Sequence, residues 1–211
     1  GYRVVLLDLS ENCIALAREN FAEEPPEVSA RLESAEVGDI RDLSRFAGPS
    51  FDAVLCLGPL SHLLDPADRQ KAATELVRVA KPGSPVFISV FGYYAVLRTV
   101  LLRTPEEFLE VGHEAGVEKG DHLYHGGFPD AHFFKPEELQ ALAQAAGLET
   151  VEMRALEGLS SNLPEATNAL KEHDDGRWEK WLEVLDHTMH DPAVVAMSEH
   201  FLYLGRVRAE V

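Results

Sequence analysis

The opening residues, YRVVLLDLSENCIALARENF, constrain the fold more than any other stretch. Tyr2 to Leu7 is a run of aliphatic and β-branched side chains, which suits a strand buried on both faces of a sheet, and Asp8 stands where that run meets polar sequence. Ser10 offers a helix N-cap, with Cys13 at the third helical position in place of the Glu or Gln of a full capping box. Ile14, Leu16, Ala17 and Phe21 supply an apolar helix face. A strand that delivers a carboxylate at its C-terminal end and passes straight into an amphipathic helix is the repeating unit of a parallel α/β sheet. In such sheets ligands bind in the crevice beyond the strand ends, where an acid after the second strand accepts hydrogen bonds from ribose hydroxyls. Asp8 is a candidate for that role; the rival reading is a polar residue that ends a strand.

The alternation continues along the chain. A Pro-rich connection, EEPPEVSA, leads to a strand expected over residues 31–37 and then to Gly38-Asp39-Ile40. The run from Phe51 to Leu57 predicts another strand, stopped by Gly58-Pro59. Asp65-Pro66 is an N-cap and first-turn pair, and the helix it opens carries Ala72, Ala73, Leu76, Val77 and Ala80 on one face. After Lys81-Pro82-Gly83, SPVFISVFG is a further strand. Residues 93–134 read as a helical insertion ending in GDHLYHGGFPDAHFF, whose His, aromatic and Gly content suits a substrate-covering loop. Pro136 starts a helix closed by Gly147, residues 148–156 return as a strand, and a helical segment over 163–190 carries Trp178, Trp181, Leu182 and Leu185. HFLYLGRVR is a terminal strand. One domain, residues 1–211, accommodates all of it.

Charge and cysteine content narrow the function. A net charge of -17 and a pI near 4.8 argue against a partner bound through its phosphate backbone, since that affinity comes from clustered Lys and Arg. Cys13 and Cys56 both lie in apolar stretches and read as reduced core thiols of a cytoplasmic protein. No apolar run reaches the length of a membrane span.

Taken together, VVLLDLS, GDIRDL and FDAVLCLGPLSHLLDPADRQKAATELVRVAKPG resemble the class I S-adenosylmethionine-dependent methyltransferases, and KPEELQALAQAAGLETVEM and HFLYLGRVR are similar to that family's late helix and last strands. The resemblance implies a Rossmann-like, doubly wound, mostly parallel sheet with an antiparallel last strand, and S-adenosyl-L-methionine as cofactor. Carried over by position, it implies that Asp8 binds the ribose hydroxyls and Leu9 packs on the adenine. It implies likewise that Asp39 accepts from the adenine amine beside Ile40, and that Leu57 and Gly58 border the methionine portion. The family's first motif, an acid and a Gly-rich loop between the first strand and helix, has no counterpart in these residues. The expectation is therefore an N-terminally incomplete methyltransferase domain lacking its first strand and helix, with two unpaired edges left inside the sheet.

Methyl transfer asks a protein mainly to orient and desolvate the reactants, with a base where the acceptor is a hydroxyl or a protonated amine. His62, just after Gly58-Pro59, is the first candidate for that base, and Tyr124, His125 and His132 are candidates for the wall around a small-molecule acceptor. Three alternatives stand beside this. One is a methyltransferase-like domain that binds without catalysis. Another is a nicotinamide-dependent oxidoreductase, which Asp39, GPLSHL and the lack of a Tyr and Lys relay pair disfavour. The third is a metal site among His113, His122, His125 and His132, which lack the helical i, i+4 pair with an acid typical of zinc hydrolases.

Overall fold

The computed structural model describes residues 1–109, 113–122, 129–172 and 175–209. Strand β1 (Val4–Asp8) leads through Ser10 into helix α1 (Glu11–Glu23), and the Ser10 hydroxyl accepts from the backbone of Cys13 at 3.3 Å. Ile14, Ala17 and Phe21 form the inward stripe at three- and four-residue spacing, whereas Leu16 and Cys13 are exposed. Cys13 is thus not a core thiol. A helix turns by about 100° per residue, so the neighbour of an inward Ile14 must point away from it. Cys56 does lie in the core, and burial pushes its thiol up to about 12.

A short helix, α2 (Pro26–Ser29), precedes β2 (Leu32–Val37), which pairs in parallel with β1. The next strand, β3 (Val54–Leu57), is shorter than the apolar run that predicts it. Phe51 instead bridges Ala80 at the end of α3 (Pro66–Val79), and its ring packs edge-on to Phe46 at 5.3 Å. Asp65 caps α3 through the backbone of Ala67 as expected. β4 (Pro85–Phe91) pairs in parallel with β3. The insertion holds α4 (Tyr93–Arg103), a 3-10 turn at Pro105–Leu109 and α5 (His113–Lys119), followed by a two-residue ladder of β5 (Asp121–His122) and β6 (Ala131–His132). Then come α6 (Pro136–Ala145), β7 (Leu148–Ala155), α7 (Pro164–Glu172), α8 (Arg177–Thr188), α9 (Pro192–Met197) and β8 (His200–Val207).

The strands form two principal ladders. β3, β4, β8 and β7 lie in that order, with β8 antiparallel to both its neighbours, and β1 and β2 form a ladder of their own. Among the described residues no strand pairing joins β1 to β3. The main core sits on the four-stranded sheet beneath α3 and α6, where Ala72, Leu76, Val86, Ile88, Leu139, Phe134, Phe201 and Tyr203 are all buried. β1 does not meet the expectation of burial on both faces: Val5, Leu6 and Leu7 are half-buried and Val4 is exposed. The connection after β2 docks onto α3. Leu43 N donates to Glu75, Arg78 donates to the carbonyls of Leu43 and Phe46, and Arg41 pairs with Asp68.

Candidate active site

Parallel pairing puts the C-terminal ends of β1 and β2 side by side. Asp8 is in register with Val37, and Gly38 N donates to the Asp8 carbonyl at 2.9 Å, so the Asp8 and Asp39 carboxylates share one edge. Asp8 Oδ1 accepts from Ser10 N at 2.8 Å, a local turn that stops the strand and aims the chain into α1. Leu9 beside it is exposed. Asp39 is more heavily engaged. Its Oδ1 accepts from the backbone of Arg41 at 2.8 Å, and both oxygens accept from the Arg41 guanidinium at 2.6–3.1 Å. Those hydrogen bonds hold the Asp39 carboxyl below its ordinary value and raise that of Arg41. Ile40 packs against the main core and fastens this turn to the larger sheet.

On the other ladder, Leu57 closes β3 opposite Ser89, and Gly58 N donates to the Ser89 carbonyl at 3.1 Å. Gly58 has φ +106°, a conformation glycine reaches without strain, and a Cβ placed there would meet nothing within 4 Å. It opens the 3-10 turn Pro59–His62, anchored by the buried Ser61, whose Oγ accepts from Phe91 N at 3.0 Å. His62 is exposed at the end of that turn, its Nδ1 3.1 Å from the carbonyl of Asp130 and its ring edge-on to Phe91 at 5.8 Å.

The structure moves His132 away from the role expected of it. Its side chain is buried, with Nδ1 2.7 Å from Asp121 and Nε2 2.7 Å from Glu138, and its ring stands edge-on to Phe134 at 4.6 Å. With both nitrogens engaged, His132 ties the β5–β6 ladder to α6 and offers nothing to an acceptor. Tyr124 and His125 lie outside the described residues.

Two features of this edge are missed by reading the sequence. His200, the first residue of β8, is in register with Phe91, the last of β4, and its ring packs on Phe91 at 5.0 Å. Its Nδ1 lies 2.7 Å from Glu157, which follows β7. That hydrogen bond raises the pKa of His200 from its ordinary value; burial pushes Glu157 up, but the bonds from His200 outweigh this and hold it low. The second feature is Gly92, where a Cβ would sit 2.1 Å from the Ser198 carbonyl oxygen, so only glycine lets β4 close onto residues 198 and 199. Neither carries a motif, because each acquires meaning only from a partner some forty or more residues distant in the chain.

The chain has counterparts among known proteins in sequence and in fold. Residues 1–83 match the family model of a methyltransferase domain. A ubiquinone biosynthesis O-methyltransferase of Thiobacillus denitrificans is 33% identical over 156 residues, covering 74% of this chain and 59% of that protein. These matches make the chain similar to the S-adenosylmethionine-dependent methyltransferases. It spans less than two thirds of that relative's length. The fold agrees: a SAM-dependent methyltransferase from Methanosarcina mazei superposes with TM-score 0.64 at 21% identity, covering 100% of this chain and 84% of that one. The [4+2]-cyclase SpnF superposes with TM-score 0.59 at 17% identity, covering 99% of this chain and 68% of that one. A fold that also hosts a cyclase does not by itself fix a reaction.

Two observations test whether the side chains suit the family's cofactor. Asp8 commits one oxygen to Ser10, and among the described residues Oδ2 has no hydrogen-bond partner, so the carboxylate has capacity for a ribose hydroxyl pair. The open space at Gly58 lets backbone approach a ligand closely. Both fit. Asp39 fits with a condition, since a ligand amine there has to share its oxygens with Arg41.

Proposed function

We propose that this chain is the core of an S-adenosyl-L-methionine-dependent methyltransferase that acts on an oxygen atom of a small, partly apolar acceptor in the cytoplasm. The carrying observation is that Asp8 ends β1 and that Asp39, Gly58 and His62 lie on the turns that follow β2 and β3, inside the segment that matches the methyltransferase domain. When bound, the cofactor supplies an electrophilic methyl group on a sulfonium sulfur. The chain's own residues do the rest. Asp8 holds the ribose hydroxyls, Leu9 and Ile40 flank the adenine, and Asp39 accepts from its amine while Arg41 keeps that carboxylate ionised. Leu57 and Gly58 border the methionine portion. His62 and Phe91 wall the acceptor side, with Phe133 packed on Phe91 at 6.0 Å, and these rings exclude water from the reacting atoms.

The choice of oxygen as acceptor atom is supported by the O-methyltransferase relatives. A small acceptor agrees with the net charge of -17, which disfavours a polyanion. Isothermal calorimetry with S-adenosylmethionine and S-adenosylhomocysteine tests the reading first. Binding that weakens in Asp8→Asn supports it; failure of the protein to bind either compound removes it.

A further inference from the structure

We propose that His200, held by Glu157, is the general base that takes the proton from a weakly acidic acceptor hydroxyl, such as a phenol. This rests on the methyltransferase reading above and adds to it the class of acceptor and the residue that receives the proton.

Three observations carry the assignment. His200 stands at the same edge of the sheet as the cofactor-side residues, because its register partner Phe91 is the last residue of β4, next to the turn that carries His62. His200 and His62 pack on the same Phe91 ring. The orientation of the imidazole is fixed. Glu157 Oε1 takes Nδ1 at 2.7 Å, while Oε2 accepts from His200 N at 2.8 Å and from the Ser198 hydroxyl at 3.0 Å. Ser198 is itself buried, and its Oγ accepts from Gly158 N at 3.1 Å, so the carboxylate is clamped from both sides. The side chain is 41% exposed, and among the described residues nothing bonds to Nε2. A hydrogen on Nδ1 facing the carboxylate leaves the Nε2 lone pair to accept a proton.

The comparison with His62 favours His200. The partner of His62 Nδ1 is a neutral carbonyl, that of Asp130, whereas the partner of His200 is a carboxylate, which stabilises the imidazolium that forms on proton uptake. The other charged or titratable groups facing His200 are Glu199, held by Asn162, and His62 across Phe91. The step balances simply. The acceptor O–H bond breaks, its proton goes to Nε2 and its electron pair stays on oxygen. That oxygen bonds the methyl carbon as the carbon–sulfur bond of the sulfonium donor breaks, its pair remaining on sulfur. The imidazolium then returns its proton to water.

The rival view is an ion pair that merely staples β7 to β8. It predicts no effect on the ionisation of a bound phenol. The experiment uses 4-nitrocatechol, whose phenolate absorbs in the visible, bound to the protein in the presence of S-adenosylhomocysteine, so that no turnover is required. In the wild type the bound probe should ionise at lower pH than free in solution. His200→Asn, which keeps a donor near Glu157, and His200→Gln should both weaken that ionisation at least about tenfold, a shift of one pKa unit. His62→Gln, which removes a ring partnered only by a neutral carbonyl, should weaken it less than either His200 variant does. Thermal unfolding of each variant shows that the fold is intact. An unchanged phenolate titration in a folded His200 variant, a loss confined to His62→Gln, or no probe binding by a protein that does bind S-adenosylhomocysteine each overturns the proposal alone. Failure to bind S-adenosylhomocysteine overturns the functional reading and the proposal with it.

Discussion

The β1–β2 ladder and the four-stranded sheet are built from similar apolar runs but end in very different environments. In β4, Val86, Ile88 and Val90 are at most 1% exposed, because the strand is paired on both sides and covered by helices. In β1, VVLLD is just as apolar, yet Val4 is 37% exposed, and in β3 the alternate residues Leu55 and Leu57 are 63% and 59% exposed around a buried Cys56. Hydrophobic pattern specifies a strand; the number of neighbours it finds decides how much that strand contributes to stability. The difference also divides the work. The sparsely covered ladder presents the carboxylates assigned to the cofactor, and the well-packed sheet holds the His62, Phe91 and His200 cluster assigned to the acceptor.

Core truncation should separate the two regions most strongly. Phe201→Ala, at a fully buried position, should destabilise by about 3 to 5 kcal/mol. Leu57→Ala on exposed β3 should change stability by no more than about 0.5 kcal/mol. Urea unfolding midpoints measure both, and equal losses would break the contrast. Gly92→Ala comes next. The added methyl group meets the Ser198 carbonyl, and relieving that overlap should cost about 1 to 3 kcal/mol. The same change should loosen His200 from Phe91, which the imidazole proton shifts in NMR spectra would register.

On the cofactor side, Asp8→Asn removes a charge-assisted acceptor and should weaken S-adenosylmethionine binding about tenfold, with little change in the unfolding midpoint, because the carboxylate is exposed. Calorimetry measures the first and urea unfolding the second. A large loss of stability would mean that the turn to Ser10 is the chief role of Asp8.

The smallest expected effect is on pH dependence. Glu157 is held below its ordinary value of 4.5, so its contribution is present above that pH and is lost as pH falls through the lowered folded value. His200 is raised above 6.5, so its contribution is complete below that pH and is lost as pH rises through the raised folded value. The pair therefore stabilises most between those limits. Because both side chains are partly exposed, the gain should stay below about 1 kcal/mol. Thermal midpoints of His200→Gln across pH should lose the decline on the alkaline side; a parallel displacement at all pH values would argue against this linkage.

Local order was readable in the chain itself. The Ser10 cap, the Asp65-Pro66 helix start and the Gly58 turn all follow from residues within a few positions of one another, whereas the antiparallel direction of the final strand was implied only by the family resemblance. The placing of Asp8 and Asp39 at strand ends is local too. Cys13 is exposed although its stretch is apolar, because an apolar stretch alone does not say which side of a helix a residue occupies. His132 failed for another reason: a histidine in a loop-like string gives no sign that Asp121 and Glu138 will converge on its two nitrogens.

The sequence by itself determined the succession of strands and helices and the carboxylates at the ends of β1 and β2, since each depends on short-range pattern, and it carried the resemblance to methyltransferases. Only the tertiary structure decided that Arg41 occupies Asp39, that Gly92 must lack a side chain, and that Glu157 and His200 meet beside Phe91. Those contacts are set by strand pairing and backbone approach between distant segments, and a hydrogen bond made across forty residues leaves no periodicity to read.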